Sequence, residues 1–388
     1  MKINFTDTKN SRLIIGVNSG TSMDALDVAL VQINGTGVSV EMRLEKFESF
    51  PFPDGWKTYL LNLMHQGSTS QISQANVLIG KVFADGINRF IETHRIDHAS
   101  VTAIGSHGQT IFHHPENEML FNRAILSTLQ LGDPSVIAQE TGILTVGDLR
   151  MADIAAGGSG APLVPYFDHA AFRDAKLTRG ILNIGGIANI TILKANGSLD
   201  GVMAFDTGPG NMLIDDAVQK FFNKPFDESG NIARTGKIRE EILNAILQHE
   251  YFTLTPPKTT GRETFGQELA EKIFKKFSNI APADLIATLT EVTARSIFDQ
   301  VEKFSKQDLD ELIVSGGGVK NGFLMERLKF YFKTVSIRTS DEFGIPAEAK
   351  EAMLFALLAN ECLMGTPANV PSVTGARKKV VVGKICRV

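Results

Sequence analysis

Three glycine-rich turns, each following an apolar stretch, carry the residues of this sequence that are best suited to binding phosphate. The first turn runs from Asn18 to Asp24, after the apolar stretch Leu13–Val17. Gly20 permits a backbone in which successive N–H groups point at an anion, and the serines and threonine around it add hydroxyl donors. Asp24 is a candidate ligand for a hydrated Mg²⁺ ion. The alternative interpretation is a plain hairpin with a glycine turn.

The second turn, Asp206–Asn211, follows the apolar residues 202–205 and precedes a helical pattern. An ionised carboxylate beside buried apolar neighbours is costly unless it has a task, and Asp206 at the end of a strand is placed for work as a general base. With Asn211 as the N-cap, a helix starting behind Gly-Pro-Gly favours phosphate through its free N–H groups. The alternative is that Asp206 only caps the turn.

The third turn contains Gly316, Gly317 and Gly318, after the buried-strand signature Leu312–Val314. Three glycines in a row leave a flat surface on which a planar base or a sugar can lie. A tight contact between strand and helix is the alternative. Each turn alone is weak evidence, but all three in one chain favour a nucleotide-binding clamp.

The periodicity of the chain predicts the elements that hold these turns. Alternation and β-branched residues predict an antiparallel meander over the first ~50 residues. Helical spacing covers 55–94, most of 212–304, 322–332 and 347–363, and apolar runs predict strands at 101–104, 125–131, 143–146, 180–184, 189–193, 202–205, 312–314 and 379–382. Hairpins with a glycine-rich turn followed by helices occur once in each half, which predicts two similar α/β lobes around a cleft.

Composition excludes several classes of protein. The 388 residues suggest two domains, and a net charge of −4 gives no electrostatic basis for binding nucleic acid. Cys362 and Cys386 are too few for a disulfide framework or a structural zinc site. The N-terminal apolar block is too short for a signal peptide, and no stretch is long enough to span a membrane. We therefore expect a cytoplasmic protein with free thiols and no membrane or nucleic-acid partner.

Motifs of other nucleotide-binding enzymes and hydrolases are absent from the sequence. There is no Gly-x-x-x-x-Gly-Lys-Ser/Thr loop, no Gly-x-Gly-x-x-Gly after a strand, no His-Glu-x-x-His and no Gly-x-Ser-x-Gly. The eight histidines lack a convincing metal-binding spacing. The chemistry must therefore lie in the glycine and aspartate clusters.

The three turns resemble the two phosphate segments and the adenosine segment of the sugar kinase/Hsp70/actin superfamily. Other blocks resemble one of its families closely, the anhydro-N-acetylmuramic acid kinases. These blocks are 105–110, 148–150 leading to 153–158, 160–165, 182–186 with Asn189, 258–263, 339–346 with 351–352, and 371–376. The match covers about residues 13 to 383, nearly the whole chain.

The resemblance implies an ATP-dependent kinase that opens the 1,6-anhydro bridge of anhydro-N-acetylmuramic acid and yields N-acetylmuramic acid 6-phosphate. It implies ATP and Mg²⁺ as cofactors, an anhydro-amino-sugar as the small-molecule partner, and a homodimer. It also implies an α/β fold of two lobes, ribonuclease H-like, with a mixed β-sheet and flanking helices in each lobe and an interlobe cleft. The first lobe is expected at 1–155 plus 346–388 and the second at 156–345, with hinges at 155–165 and 344–347.

The family's site residues fall on defined positions of this chain. Asp206 takes the position of the carboxylate base, and Asp24 stays the candidate Mg²⁺ ligand on its own chemistry. The nucleotide-binding positions are Gly20, Thr21, Ser22, Met23, Asp24, Ala25, Leu26, Asp27, Gly208, Gly210, Asn211, Gly317, Gly318 and Asn321. The candidates for the sugar side are His107, Gln109 and Arg150, and Arg150 is suited to pairing with a substrate carboxylate. The alternatives are a structural ion pair for Arg150 and a core position for His107.

The chain departs from the family pattern at three positions. Asn18 precedes Ser19 where the family has methionine, Ala25 replaces a glycine after Asp24, and Ala152 stands where a polar residue is expected. An alanine cannot adopt positive φ without a cost of ~1–2 kcal/mol. Two other functions stay open on sequence grounds: another sugar kinase, such as a levoglucosan kinase, and an actin- or Hsp70-like ATP switch.

Overall fold

The chain divides into two compact units. The structure, a computed structural model, describes residues 11–20, 22–305 and 309–388, without the side chains of residues 115 and 116. Unit 1 comprises residues 1–171 and 348–388, and unit 2 comprises residues 172–347. The chain therefore enters unit 2 later than the position 156 expected from sequence, and it leaves unit 2 close to the expected position.

Unit 1 begins with an antiparallel meander, as the alternation predicts. Its elements up to residue 172 are β1 (Arg12–Asn18), β2 (Ala25–Asn34), β3 (Glu41–Pro51), α1 (Trp56–Gln66), α2 (Thr69–Thr93), β4 (Val101–Ser106), β5 (Gln109–Leu120), β6 (Arg123–Leu131), α3 (Pro134–Thr141), β7 (Thr145–Gly147), α4 (Met151–Ala155) and α5 (Val164–Phe172). The predicted helical stretch 55–94 is two helices, because Gly67 ends α1 and Ser68 starts α2 with a capping box that includes Gln71.

Unit 2 is built from five strands and seven α-helices among its described residues. They are β8 (Arg179–Ile184), β9 (Ile187–Leu193), β10 (Met203–Pro209), α6 (Met212–Phe222), α7 (Asn231–Thr235), α8 (Glu240–Leu247), α9 (Arg262–Phe265), α10 (Gln267–Lys276), α11 (Pro282–Ser305), β11 (Glu311–Ser315), α12 (Gly322–Tyr331) and β12 (Ser336–Thr339). The chain then returns to unit 1 with α13 (Lys350–Met364), α14 (Pro371–Thr374) and β13 (Lys384–Cys386). Short 3-10 helices lie at 37–39, 98–100, 199–201, 228–230, 250–253, 317–320 and 340–343.

The two main sheets share one topology over five of their strands. In unit 1 the strand order is β13-β7-β4-β1-β2-β3. The β1–β2 and β2–β3 pairs are antiparallel, β4 pairs in parallel with β1 and β7 with β4, and β13 is an additional strand antiparallel to β7. In unit 2 the order is β10-β9-β8-β11-β12, again with three antiparallel strands followed by two parallel ones. This repeated mixed sheet with flanking helices confirms the predicted α/β class with one mixed β-sheet in each of two units.

Helix α13 packs directly on the sheet of unit 1, over strands β1 and β4. A Cβ atom on Gly16 would lie 1.8 Å from the carbonyl oxygen of Ala352, and one on Gly105 would lie 2.1 Å from that of Phe355. Only glycine allows so close an approach of helix and sheet. As a result, the first turns of α13 lie beside the carboxyl-terminal ends of β1 and β4.

The predicted last strand lies five residues later than expected. Residues 379–382 are not a strand, because the Val380 N–H donates to Asn369 Oδ1 and the Val380 carbonyl accepts from the Ala368 N–H. The strand is β13, which pairs antiparallel with β7 through Lys384–Cys386. Gly383, at φ +95°, makes the change of direction.

A buried carboxylate explains why the segment after α4 belongs to unit 1. Asp153 is fully buried and accepts hydrogen bonds from the Gly160 N–H at 2.9 Å, Asn369 Nδ2 at 2.7 Å and Thr374 Oγ1 at 2.9 Å. The last two partners come from the returning C-terminal segment. The glycine-rich segment predicted as a hinge is thus fastened within unit 1 by this carboxylate.

We predict that Asp153→Asn destabilises the protein. An amide in this place turns one acceptor oxygen into a donor that faces other donors, at a cost of about 2–3 kcal/mol. The melting temperature, followed by circular dichroism, should fall by several degrees. Asp85→Asn, an exposed position on α2 of the same unit, is the matched control and should melt like the wild type. Equal melting of the two variants would contradict this role of Asp153.

Both cysteines are free thiols, as predicted, with Cys362 buried and Cys386 partly exposed. Burial raises the pKa of the Cys362 thiol to about 11. Among the helices that the structure describes, none combines the length and the apolar character needed to cross a membrane.

Candidate active site

A cavity of about 590 Å³ in unit 1 gathers most of the predicted loop and sugar-side residues. Its walls come from the turn after β1, the ends of β4 and β5, the segment around Arg150, residues 161–164 and the first turns of α13. The strand ends meet here because β1 and β4 are parallel neighbours. Of the predicted residues it is lined by Gly20, Ser22, Asp24, Ala25, Asp27, His107, Gln109 and Arg150.

The turn after β1 is fastened by its hydroxyl groups. Ser19 Oγ donates to Gln109 Oε1 at 2.6 Å, and Ser22 Oγ donates to the Asp24 carboxylate. A Cβ atom on Gly20 would meet only Ser22 Oγ within 4 Å, so the backbone of the turn is open there to a ligand. The predicted residue Thr21 lies outside the described residues.

Two predicted loop residues turn their side chains away from the cavity. Met23 and Leu26 are buried in the hydrophobic core of unit 1, so any contact with a nucleotide would be made by their backbone. Met23 carries the positive φ of the turn, at 57°. Ala25 is the first residue of β2 and pairs with Pro51. The glycine expected at position 25 is therefore not required for positive φ in this chain.

Arg150 and His107 form a connected pair at the cavity. Arg150 Nε donates to His107 Nε2 at 3.0 Å, and its Nη1 donates to the Gly160 carbonyl at 2.8 Å. Burial lowers the pKa of Arg150 to about 10, which leaves the guanidinium charged at neutral pH. His107 is buried, as in the alternative considered for it, and it also lines the cavity. The two hydrogen bonds of Arg150 go to a neutral ring and to a backbone carbonyl, so they do not form the structural ion pair considered for this residue.

The hydrogen bond from Arg150 fixes the tautomer of His107. Burial, assisted by the charge of Arg150, holds the pKa of His107 well below its ordinary value, so the ring is neutral. Because Nε2 accepts from Arg150, the ring proton must be on Nδ1. Nδ1 is buried and makes no hydrogen bond of good geometry among the described residues, although the backbone of Gly108 is near enough to raise the pKa of the ring slightly against the effect of burial. His107 is also stacked on Phe355 of α13, with ring centroids 4.6 Å apart.

Glu351 was not singled out as a site residue by the sequence. It lies in the first turn of α13, lines the cavity and accepts from Asn18 Nδ2 at 2.5 Å. The pKa of Asp27 is raised, chiefly by burial and then by the nearby charges of Glu351, Asp24 and Glu348. No motif links position 351 to position 18, since their proximity arises only when α13 packs on β1. Asn18, noted as a departure from the family, is the partner of this carboxylate.

Asp206 lies in unit 2, at the point where β10 becomes irregular. It pairs with Asn189 of β9, and the register shifts between Asp206 and Gly208. Its carboxylate accepts from the Thr260 N–H at 2.8 Å, its backbone N–H donates to the Lys258 carbonyl at 3.1 Å, and its carbonyl accepts from Tyr251 Oη at 2.6 Å. The carboxylate is thus held by backbone from a second segment, which a turn cap would not require.

Burial raises the pKa of Asp206 to about 6. The Thr260 N–H opposes this rise, Glu263 adds to it, and the charge of Lys258 lowers the pKa. A carboxyl group with this pKa is ionised at neutral pH and is a stronger base than an ordinary aspartate.

The backbone N–H groups that follow Asp206 are already hydrogen-bonded to another segment of unit 2. The N–H groups of Gly210, Asn211 and Met212 donate to the carbonyls of Gly185 and Gly186. Asn211 precedes α6 as predicted, but its side chain makes no capping bond and instead donates to the Ile184 carbonyl at 3.3 Å. The prediction of Asn211 as the N-cap residue is therefore confirmed by its position, although its side chain bonds outside the helix. Gly208, at φ +142°, packs against Phe252.

The three glycines after β11 have different tasks. A Cβ atom on Gly316 would collide with the backbone of Ile184, and a Cβ atom on Gly318 would collide with the Ile184 side chain. These close contacts are the strand–helix packing considered as the alternative. Gly317 is open, with only Asn211 Nδ2 nearby at 3.8 Å. Asn321 caps α12 by accepting from the Leu324 N–H at 3.0 Å. Of the flat surface expected here, only Gly317 offers free backbone.

The donor set at Asp24 suits Mg²⁺ rather than a fully protein-coordinated metal. The described residues contain no group of three or more histidine, cysteine, aspartate or glutamate side chains placed to hold a metal ion. Mg²⁺ usually keeps several waters and takes one or two carboxylates plus substrate phosphates. Asp24, exposed at the edge of the cavity, can supply one such carboxylate.

Comparison with known proteins decides the family. The sequence profile described as "Anhydro-N-acetylmuramic acid kinase" matches residues 12–387. The chain belongs to the anhydro-N-acetylmuramic acid kinase family. Proteins with this name are 42% identical in Caldanaerobacter subterraneus subsp. tengcongensis, with 97% of each chain covered, and 39% identical in Salinibacter ruber, with 97% of this chain and 96% of the relative covered. The relative from Bacillus cereus strain Q1 is 40% identical over 96% of this chain and 98% of its own. The predicted family and the predicted class, a phosphotransferase with an alcohol acceptor, are confirmed.

Proposed function

We propose that this protein opens the 1,6-anhydro ring of anhydro-N-acetylmuramic acid with water and transfers the γ-phosphoryl group of ATP to O6. The products are N-acetylmuramic acid 6-phosphate and ADP. The observation that carries the proposal is the half-buried carboxylate of Asp206, which is held by the Thr260 N–H beside the irregularity of β10 in a chain of this family.

The reaction needs one proton acceptor and one phosphoryl acceptor. Asp206 takes a proton from the water that attacks the anomeric carbon C1, and the bond between C1 and O6 breaks. The electron pair left on O6 attacks the γ-phosphorus, and the bond from that phosphorus to the ADP oxygen breaks. Because O6 passes its negative charge to the phosphoryl group, a second carboxylate acting as acid is not required.

The cavity of unit 1 provides donors suited to an acidic amino sugar. Arg150 is a half-buried cation with guanidinium N–H groups beyond the two bonds that it makes internally. The buried Nδ1–H of His107 is a further donor, and Gln109 is fixed by Ser19. A carboxylate and an acetamido carbonyl on one small sugar would accept from such a set. We assign Arg150 to the carboxylate, and His107 and Gln109 to neutral oxygens.

The nucleotide contacts are assigned turn by turn. In unit 1 we assign phosphate binding to the turn 18–24, whose backbone is open at Gly20. In unit 2 we assign adenosine binding to Gly317, which offers free backbone, whereas the turn 208–211, Gly318 and Asn321 shape this region through their internal bonds and packing. Asp24 would hold Mg²⁺, which when bound would neutralise phosphate charge. The homodimer and the cytoplasmic location implied by the resemblance stay predictions.

The pH dependence of kcat/KM should report on Asp206. The base works only when ionised, and its pKa is raised to about 6. Activity should therefore be low at pH 5, rise through about pH 6 and level off above it, whereas an ordinary aspartate would place this limb near pH 4. Initial rates between pH 4.5 and 8 in buffers of constant ionic strength measure it. A flat profile over this range would argue against Asp206 as the base.

An ADP-release assay tests the substrate. ATP and Mg²⁺ are supplied with anhydro-N-acetylmuramic acid, N-acetylmuramic acid, levoglucosan or no sugar. Rapid release with the anhydro acid alone supports the proposal. Equal release with a free-hydroxyl sugar would indicate a general sugar kinase, and release with levoglucosan alone would indicate a levoglucosan kinase. Slow release that ignores every sugar would indicate an ATP switch.

A further inference from the structure

A closed ring of three hydrogen bonds surrounds the backbone of Asp206. Tyr251 Oη donates to the Asp206 carbonyl at 2.6 Å, and the Asp206 N–H donates to the Lys258 carbonyl at 3.1 Å. Lys258 Nζ then donates to the Tyr251 carbonyl at 3.2 Å, which closes the ring. The three residues come from three segments of unit 2: β10, the 3-10 helix at 250–253 and the loop before α9.

Lys258 is an unusual component of this ring because its ammonium group is buried. Only 6% of the residue is exposed. Nζ donates to Gln300 Oε1 on α11 at 2.6 Å and lies 4.4 Å from the ring centre of Tyr251 and 5.3 Å from that of Phe304. A buried cation is costly even when paired, so a lysine in this place indicates a task that an apolar residue could not perform.

The loop that Lys258 anchors also holds the Asp206 carboxylate. Two residues further along, the Thr260 N–H donates to Asp206 Oδ2 at 2.8 Å. Fixing the side chain of Lys258 to α11 and to Tyr251 therefore fixes the donor that orients the carboxylate. The other charged groups around this arrangement are Glu263, which acts on Asp206, and Lys303, which acts on Lys258.

We propose that Lys258 is a positioning residue for Asp206. Its buried ammonium group anchors the loop whose backbone grips Asp206 at the N–H and at the carboxylate, and its charge stabilises the ionised carboxylate. The proposal rests on the proposed function for its kinetic consequences, but the state of the carboxylate can be measured without any substrate.

The electrostatic part of this role has a definite direction. The positive charge of Lys258 lowers the pKa of Asp206, against the effect of burial. Burial and then the charge of Lys303 lower the pKa of Lys258 to about 8, so the ammonium form still predominates at neutral pH. Removing the charge should therefore raise the pKa of the Asp206 carboxyl group.

The test compares Lys258→Met with Lys303→Met. Lys303 is a matched control because its ammonium group also donates to backbone carbonyls of the 250–253 segment, at Phe252 and Thr253, and lies 4.9 Å from the Phe304 ring centre. Within the part of the chain that the structure describes, the hydrogen bonds of Lys303 go to Phe252 and Thr253 and none goes to Asp206 or to the loop that holds it. The readouts are the ¹³C NMR titration of the Asp206 carboxyl carbon, assigned with Asp206→Asn, the kinetic constants with anhydro-N-acetylmuramic acid and ATP, and the melting temperature.

We expect Lys258→Met to raise the pKa of Asp206 by about half a unit or more, and to move the acid limb of kcat/KM by the same amount. We expect kcat to fall ~10–100-fold because the carboxylate is misplaced, with the KM for ATP nearly unchanged. Lys303→Met should change neither quantity. An unchanged Asp206 titration and kcat in Lys258→Met, or equal changes in Lys303→Met, would overturn the proposal.

Tyr251→Phe tests the ring without removing a buried charge. It deletes the bond to the Asp206 carbonyl and should lower kcat ~3–10-fold, a loss comparable with that of one ordinary hydrogen bond, while the acid limb stays in place. If Lys258→Met does not fold, Tyr251→Phe tests the proposal in its place, and an unchanged kcat in Tyr251→Phe would overturn the proposal. If the wild-type protein does not phosphorylate the anhydro sugar, the proposed function fails, but the carboxyl titration still tests Lys258.

Discussion

Replacing Asp206 by asparagine is expected to lower kcat at least 10³-fold with little change in the KM for ATP. The amide keeps the size of the side chain and can still accept from the Thr260 N–H, which contacts Oδ2 at 2.8 Å. It cannot take a proton from water. General bases contribute about 10²–10⁴-fold, and here the base also determines whether water reaches the anomeric carbon as a nucleophile. ADP release with anhydro-N-acetylmuramic acid measures the effect.

Asp200→Asn is the matched control for this variant. Asp200 is exposed in the 3-10 helix that precedes β10, so the same change is made in the same unit without touching the site. Both variants should melt close to the wild type. An Asp206→Asn enzyme that retained full turnover would eliminate Asp206 as the base.

Replacing Arg150 by methionine is expected to lower kcat/KM for anhydro-N-acetylmuramic acid about 100-fold. A bidentate bond between a guanidinium and a carboxylate is among the strongest polar contacts, and its loss in a buried place costs about 3 kcal/mol. Arg150 also holds His107 and Gly160. Part of the loss must therefore come from misplaced neighbours rather than from the missing charge.

Two substrates separate these contributions. A sugar without a carboxylate, levoglucosan, should be turned over slowly by the wild type and affected less than about tenfold by Arg150→Met, because only the misplacement of neighbours applies. Arg150→Lys keeps a charge but not the planar fork, and should fall between the wild type and the methionine variant. Equal losses for both sugars would show that Arg150 acts only through His107 and Gly160.

The sequence predicts correctly those structural features that a single segment of the chain forms by itself. The meander, the turn after β1 and the strand that leads to Asp206 depend on local patterns, such as the alternation of residues 38–46 and the apolar stretch before Asp206. That strand, β10, continues to Pro209 instead of ending before Asp206 as predicted. The strand β5 was missed because residues 109–120 are largely polar or aromatic and half of the hairpin faces solvent. Its existence depends on its pairing with β6.

Features that depend on packing between distant segments could not be predicted. Glu351 reaches Asn18 only because Gly16 and Gly105 let α13 lie directly on the sheet. The segment after residue 155 belongs to unit 1 because the Gly160 N–H donates to Asp153 and the Ser159 N–H donates to the carbonyl of Thr374, more than two hundred residues away in the chain. The glycines at 316 and 318 show the converse case, in which a motif suggestive of a ligand surface is largely used for packing against Ile184.

The most direct test of the central claim is to follow the reaction by ³¹P and ¹H NMR with ATP, Mg²⁺ and anhydro-N-acetylmuramic acid. If ring opening and phosphoryl transfer are coupled as proposed, each ADP formed should be matched by one sugar 6-phosphate, and the resonance of the anhydro-ring anomeric proton should decline in step. Inorganic phosphate should stay at the level of a sample without sugar. ADP accompanied by inorganic phosphate, or a phosphorylated sugar with its anhydro bridge intact, would contradict the account.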